Sequence, residues 1–96
     1  MELKKIGVIG AGTMGNGISQ AFAVAGVDVV MTDVAQAQLE RASAAIAGSL
    51  ERLVKKEKLS AAAKDAALGR IRSATDLGAV KDCDLVIEAA TENLPL

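Results

Sequence analysis

The sequence predicts an α/β fold in which helices cover a parallel β-sheet. Short runs of aliphatic and β-branched residues alternate along the chain with longer stretches of helical periodicity. The second of these runs, residues 27–32, is apolar except for Asp28, which is typical of a parallel strand buried on both faces. Together these patterns indicate a sheet built from strand–helix–strand units.

The first strand is predicted over residues 5–9, and a glycine-rich segment and a helix over residues 14–25 follow it. The glycines have the spacing of a turn that binds a dinucleotide, in which they allow the tight turn, the close approach of a diphosphate and close helix–strand contact. The diphosphate then meets backbone N–H groups at the positive end of the helix dipole. The candidate cofactor-binding residues of this segment are Gly10, Ala11, Gly12, Thr13, Met14 and Gly15.

An acidic residue, Asp33, ends the second strand, which is predicted over residues 27–32 after a helix stop at Gly26. It follows Gly15 by 18 residues, close to the separation of about 20 expected of a carboxylate that accepts hydrogen bonds from a ribose. A carboxylate there repels a 2′-phosphate, so we expect NAD and not NADP as the cofactor. Asp33 could instead cap the next helix, and the two roles are compatible.

A helical hairpin is predicted between the second and third strands. Its long first helix covers residues 35–57, where apolar residues recur at steps of three and four. Ser60 is the expected cap of a second helix over residues 61–68, with Gly69 near its end. The remaining elements are a short strand at 70–74, a turn or short helix at 76–81 and a strand at 84–89.

Right-handed crossovers between these strands give the order 3-2-1-4. The predicted fold class is therefore the first half of a Rossmann-type doubly wound parallel sheet, with the helical hairpin as an insertion. We expect residues 1–96 to form one truncated NAD-binding domain. The segment after strand 4 is expected at the crevice between strands 1 and 4, where such sheets bind their ligands.

Composition excludes several other classes of protein. The net charge of −1 argues against a nucleic-acid-binding surface, and no apolar stretch of about 18 residues predicts a membrane span. The single cysteine, Cys83, fits a reducing cytoplasm. The chain has no histidine, so it lacks the usual general base of enzymes that interconvert hydroxyl and keto groups.

Three segments, together with the hairpin, carry a family resemblance. They are residues 5–18 around the glycine turn, residues 30–33 that end in Asp33, and residues 84–93 with their Glu-Ala-Ala-Thr-Glu-Asn ending. They resemble the N-terminal region of 3-hydroxyacyl-CoA dehydrogenases, including 3-hydroxybutyryl-CoA dehydrogenases. The resemblance implies NAD-dependent interconversion of (3S)-3-hydroxyacyl-CoA and 3-ketoacyl-CoA. With Met1 directly before the first strand, the stand-alone enzyme is expected and not a multifunctional protein.

The resemblance also implies roles for individual residues. Ala90 and Glu92 would lie near the ribose on the nicotinamide side, and Ser49 and Lys56 would contact coenzyme A. Lysines near a helix end can alternatively complement the helix dipole and stay solvated. The catalytic histidine–glutamate pair, and a helical domain for substrate contacts and homodimer formation, would lie outside these 96 residues. The chain alone is therefore expected to be non-catalytic.

Two other functions remain open from the sequence. One is a non-catalytic module that senses NAD, and the other is a different NAD-dependent hydroxy-acid dehydrogenase with a similar first domain. The hairpin and its basic residues favour the acyl-CoA enzyme, because a sensor has no need of a surface for coenzyme A.

Overall fold

A computed structural model describes residues 3–89 of the chain. Its β-strands are β1 (Lys5–Ile9), β2 (Asp28–Thr32), β3 (Ile71–Ala74) and β4 (Leu85–Glu88). Its α-helices are α1 (Thr13–Val24), α2 (Gln36–Lys55) and α3 (Ala61–Arg70), and a 3-10 helix covers Leu77–Val80. Each predicted element is present; β1 has the predicted bounds, and the ends of the other elements differ by at most two residues.

The four strands form one parallel sheet in the order β3-β2-β1-β4, which confirms the predicted topology. Gly7 in the centre of β1 is paired with Val30 of β2 on one side and with Val86 of β4 on the other. Because all four strands run in the same direction, their carboxyl ends share one edge of the sheet. The glycine turn after β1 and Asp33 after β2 therefore lie side by side at that edge.

The main hydrophobic core lies between the sheet and the three α-helices. Alternate residues of β1, Ile6 and Val8, are fully buried in it, as are Leu39, Ile46 and Leu50 of α2. The spacing of these α2 residues is the stripe of threes and fours that predicts an amphipathic helix. Burial of each large aliphatic side chain contributes about 1.5–3 kcal/mol, so the stripe fixes α2 firmly on the sheet.

The 3-10 helix covers the opposite face of the sheet beside Gly7. A Cβ atom at Gly7 would lie 2.6 Å from the Cβ of Val80, so only glycine leaves room for this contact. Val80 is itself buried, and the Asp76 carboxylate caps the 3-10 helix by accepting from the Gly78 amide at 2.9 Å. The sheet is thus covered on both faces near its centre, as expected of a parallel strand arrangement.

The two helices of the hairpin are joined at a residue with left-handed backbone geometry. Glu57 has φ 60°, and the amides of Glu57 and Lys58 donate to the carbonyl oxygens of Val54 and Leu53 at 3.0 and 2.9 Å. This is the paired hydrogen-bond pattern that closes many helices, so α2 ends at Lys55 and not at the predicted position 57. Lys64 of α3 donates to the Glu51 carboxylate of α2 and links the two helices.

Candidate dinucleotide-binding site

The glycine turn after β1 is held in a conformation that favours glycine. Gly10 has φ 103°, in the left-handed region, and its amide donates to the Thr32 carbonyl oxygen at 2.7 Å. Thr32 is fully buried, and its hydroxyl is satisfied by donating to the Val8 carbonyl oxygen at 3.2 Å. These two bonds tie the turn to the end of β2.

Helix α1 lies in contact with the turn at Gly15. A Cβ atom at this position would lie 1.9 Å from the Gly10 carbonyl oxygen, which is far inside van der Waals contact. Helix and turn can approach this closely only because Gly15 has no side chain. The approach places the first turn of α1 directly against the carboxyl end of β1.

The amino end of α1 has the geometry of an anion-binding helix terminus. Gly12 is its N-cap, with φ −75° and ψ −165°, and no side chain of the described residues caps the helix there. The first helical hydrogen bond runs from the Asn16 amide to the Gly12 carbonyl oxygen at 2.9 Å. The first amides of an α-helix point out of its amino end, and the helix dipole adds partial positive charge there.

Asp33 lies next to this terminus and is half-buried. Its Oδ2 accepts from the Ala11 amide at 3.0 Å, and its Oδ1 accepts from the Ala35 amide at 2.9 Å. The N-cap residue of α2 is Ala35, so Asp33 does not cap the helix in the strict sense. It forms a local turn with Ala35 and bridges to the glycine turn at the same time.

An open cleft of about 510 Å³ lies beside the glycine turn. One wall comes from the turn and the first residues of α1, and the other wall comes from the first half of α2. The cleft is lined by Ala11, Gly12, Thr13, Asn16, Gln38, Arg41, Ala42 and Ala45. The sequence analysis did not single out Asn16, Gln38 or Arg41.

Ser49 of α2 and Lys56, the residue directly after α2, lie beyond this cleft but follow its α2 residues along the helix. From Gln38 and Arg41 the helix advances through Ala45 to Ser49, Arg52 and Lys56 at steps of three and four, so these residues share one face. We call this the polar face of α2: Gln38, Arg41, Ala45, Ser49, Arg52 and Lys56. The steps of three and four residues can be seen in the sequence. Where this face lies relative to the glycine turn depends on how α2 packs beside α1.

Ala90 and Glu92 lie outside the described residues, so their assignment to the nicotinamide-side ribose stays a prediction. The last described residue, Ala89, is buried, and its amide donates to the Ile9 carbonyl oxygen at 2.8 Å. The chain therefore leaves β4 at the same edge of the sheet as the glycine turn.

Three titratable groups away from the turn have shifted pKa values with clear causes. Asp84 accepts from the amides of Lys4 and Lys5 at 2.9 and 3.0 Å, and these bonds lower the pKa of its carboxyl group. The hydrogen bond from Lys64 lowers the pKa of Glu51. Burial raises the pKa of the Cys83 thiol, which makes it a poor nucleophile at neutral pH.

Within residues 3–89, no group of three or more acidic, cysteine or histidine side chains is placed to hold a metal ion. No helix in the same range is long and apolar enough to cross a membrane. The groups that the site presents are the backbone amides of the glycine turn and the Asp33 carboxylate. Amides fit a diphosphate and a carboxylate fits ribose hydroxyls, so the residues present suit a dinucleotide.

Comparison with known proteins agrees with this geometry. Residues 5–96 match the family model described as 3-hydroxyacyl-CoA dehydrogenase, NAD binding domain. The chain is 51% identical over 90 residues to a 3-hydroxybutyryl-CoA dehydrogenase of Bradyrhizobium diazoefficiens, covering 94% of this chain and 31% of that protein. It is 39% identical over 95 residues to a peroxisomal fatty acid beta-oxidation multifunctional protein of Oryza sativa, covering 99% of this chain and 13% of that protein.

Among solved structures, the (S)-3-hydroxybutyryl-CoA dehydrogenase of Ralstonia eutropha matches with a TM-score of 0.92 and 52% identity, covering 97% of this chain and 33% of that chain. Fold and site together define an NAD-binding domain of the Rossmann type. The chain belongs to the 3-hydroxyacyl-CoA dehydrogenase family and corresponds to its NAD-binding domain. It spans about a third of the length of the 3-hydroxybutyryl-CoA dehydrogenases that it matches.

Proposed function

We propose that this chain is the cofactor-binding part of an enzyme that interconverts (3S)-3-hydroxyacyl-CoA and 3-ketoacyl-CoA with NAD. The observation that carries the proposal is that Gln38, Arg41 and Ala45, three residues of the polar face of α2, line the cleft at the glycine turn. A dinucleotide at the turn and an acyl-CoA along α2 would occupy adjoining surfaces. Proximity of this kind is what transfer of a hydride between the two molecules requires.

In this proposal the backbone of Gly10–Gly15 binds the diphosphate of NAD, and Asp33 accepts hydrogen bonds from the adenosine ribose. Ala90 and Glu92 contact the second ribose. The bound NAD supplies the hydride acceptor or donor. The chain's own residues hold that cofactor with its diphosphate at the positive end of α1, where the helix dipole favours negative charge.

Ser49 and Lys56 would bind the coenzyme A part of the substrate. They lie two helical turns apart, about 10 Å along the axis of α2. Arg52 lies between them, and its guanidinium Nη1 is 3.7 Å from the position of a Cβ on Gly48. The Arg52 guanidinium therefore lies close to Gly48, the residue before Ser49. A hydroxyl group followed along one helix face by two cations suits the phosphate groups of coenzyme A.

The remaining functions of the enzyme would come from outside these 96 residues. The chain has no histidine, so we propose that the histidine–glutamate pair implied by the family resemblance, which would carry the proton transfer that accompanies hydride transfer, comes from another segment. We propose that the same segment includes a helical domain that forms a homodimer. We also propose a cytoplasmic location, without nucleic-acid or membrane partners.

Calorimetric titration of the full-length protein with NADH and with acetoacetyl-CoA tests the proposal. Lys56→Gln is expected to weaken acyl-CoA binding about two- to fivefold, the size of one solvent-exposed ionic contact, and to leave NADH binding unchanged. Lys55→Gln is the matched control, because Lys55 is an exposed neighbour that lies off the polar face of α2. Equal effects of the two variants on acyl-CoA binding would contradict the coenzyme A assignment.

Ser49→Ala gives a second, uncharged test of the same surface. We expect a higher KM for acetoacetyl-CoA and an unchanged KM for NADH. A protein that binds NADH tightly but has no measurable affinity for acyl-CoA would instead support the NAD-sensing alternative. Sedimentation analysis of the full-length protein and of a version limited to residues 1–96 tests the dimer: only the former is expected to dimerise.

A further inference from the structure

The carboxylate of Asp33 is engaged by the backbone on both of its oxygens. Oδ2 accepts from the Ala11 amide of the glycine turn at 3.0 Å, and Oδ1 accepts from the Ala35 amide at 2.9 Å. Ala11 is only 3% exposed, so its amide is shielded from water. Asp33 thus joins the glycine turn to the start of α2 without any cofactor.

We propose that Asp33 is a positioning residue for the diphosphate turn as well as a ligand of the ribose. The Gly10 amide already donates to the Thr32 carbonyl oxygen at 2.7 Å, so the end of β2 holds two successive amides of the turn. Fixing these two amides sets the direction of the amides that follow at Gly12 and Thr13. The turn is therefore shaped for the diphosphate before NAD arrives. This inference rests on the NAD-binding role of the domain.

The two roles are compatible because an ionised carboxylate has about four acceptor positions, two on each oxygen. The amides of Ala11 and Ala35 use two of them. Two remain, one on each oxygen, which matches the two hydroxyl groups of a ribose. A single aspartate can therefore hold the turn and the sugar together.

The same count explains why an amide side chain cannot replace the carboxylate. Asparagine has one acceptor oxygen, and its NH₂ group would face the N–H donor of either Ala11 or Ala35. One of the two backbone bonds would be lost, and the other would be made to a neutral amide oxygen and would be weaker, so the Ala11 bond is weakened or lost in either orientation. Asp33→Asn is nearly isosteric, so it changes this bonding with little change in packing.

The test uses NADH and an NADH analogue that lacks both hydroxyls of the adenosine ribose, titrated against the full-length protein and its Asp33→Asn variant. If Asp33 only bound the ribose, Asp33→Asn would weaken the binding of NADH, which has the hydroxyls, and would leave the binding of the analogue unchanged. A positioning residue also affects the analogue, since the analogue keeps the diphosphate. We expect Asp33→Asn to weaken binding of the analogue about tenfold, the size of one lost charge-assisted bond. Asp28→Asn, an exposed aspartate at the other end of β2, is the matched control and should change neither affinity.

Amide hydrogen exchange without any ligand provides a readout that global destabilisation would not produce. In Asp33→Asn we expect faster exchange at Ala11 and unchanged exchange at Ile46 in the core. The positioning role would be overturned if the affinity for the analogue stayed unchanged, or if exchange became faster by the same factor at Ala11 and at Ile46. Failure of the wild-type protein to bind NADH would instead contradict the NAD-binding role, and the exchange at Ala11 would still decide whether Asp33 holds the turn.

Discussion

Substitution of Gly15 by alanine gives the sharpest test of how the glycine turn is built. The added Cβ would lie 1.9 Å from the Gly10 carbonyl oxygen, whereas real Cβ contacts essentially never fall below 3.0 Å. Helix and turn would have to separate by about 1.1 Å, the difference between these two distances. The obstructing atom belongs to the backbone, and the amide of the same residue is bonded to Thr32, so the turn has little freedom to move.

The expected loss of stability follows from two opposing effects. Forced overpacking costs about 1–3 kcal/mol, and a rigid backbone neighbour places this case at the upper end. Replacing glycine by alanine within a helix returns about 1 kcal/mol. The net loss is therefore about 2 kcal/mol, which lowers the Tm of a domain of this size by roughly 8–16 °C.

Gly17→Ala in the same helix is the matched control. Nothing lies within 4 Å of its added Cβ, so only the gain in helix propensity remains, and its Tm should rise by about 4–8 °C. Thermal unfolding followed by circular dichroism separates the two variants, and NADH titration should show a loss of affinity for Gly15→Ala alone. Equal stability and equal NADH affinity of the two variants would refute the close contact between α1 and the turn.

Three further substitutions test other parts of the fold. Glu57→Gly should raise the free energy of unfolding by about 0.5–1 kcal/mol, because Glu57 has φ 60°, and urea titration against Glu57→Ala checks this. Ser19→Ala should raise the free energy of unfolding by about 1 kcal/mol, since the buried Ser19 hydroxyl has no hydrogen-bond partner among the described residues. A lower free energy of unfolding in the same titration would show that this hydroxyl is bonded. Asp84 has a lowered pKa, so its contribution is present above the ordinary pKa of 3.8 and disappears as pH falls through the lower folded value. Asp84→Asn should therefore have lower stability at pH 7 and a flatter decline below pH 3.8, and parallel curves for both proteins would contradict this.

The strand bounds and topology could be predicted because local patterns determine them. A buried parallel strand requires a short apolar run, and right-handed crossovers together with the glycine turn of a dinucleotide-binding fold favour the order 3-2-1-4. The helix ends were harder to predict. Glutamate rarely adopts left-handed geometry, so nothing in the sequence indicated that the backbone at Glu57 would end α2 two residues early, at Lys55.

Tertiary contacts explain the other differences. The prediction placed Arg70 in a strand, but it is the last residue of α3, and its guanidinium donates to the Ala23 carbonyl oxygen at 2.8 Å. Gly69 lies within that helix and does not end it. In the site, Asn16 and Arg41 look like ordinary exposed residues in the sequence. They line one cleft only because α1 and α2 lie side by side, and this packing cannot be derived from the spacing within either helix.

Cofactor preference follows from how tightly the Asp33 carboxylate is held. A free side chain could rotate away from a 2′-phosphate, but Asp33 accepts from the amides of Ala11 and Ala35, which hold its carboxylate at the position proposed for ribose binding. Asp33→Ala should therefore weaken NADH binding and reduce discrimination against NADPH. It should not bring NADPH affinity to the level of wild-type NADH, because the same change releases the Ala11 amide and loosens the turn that binds the diphosphate of either cofactor. Titration of Asp33→Ala with both reduced cofactors measures this. NADPH affinity equal to that of wild-type NADH would show that repulsion of the 2′-phosphate is the only role of Asp33.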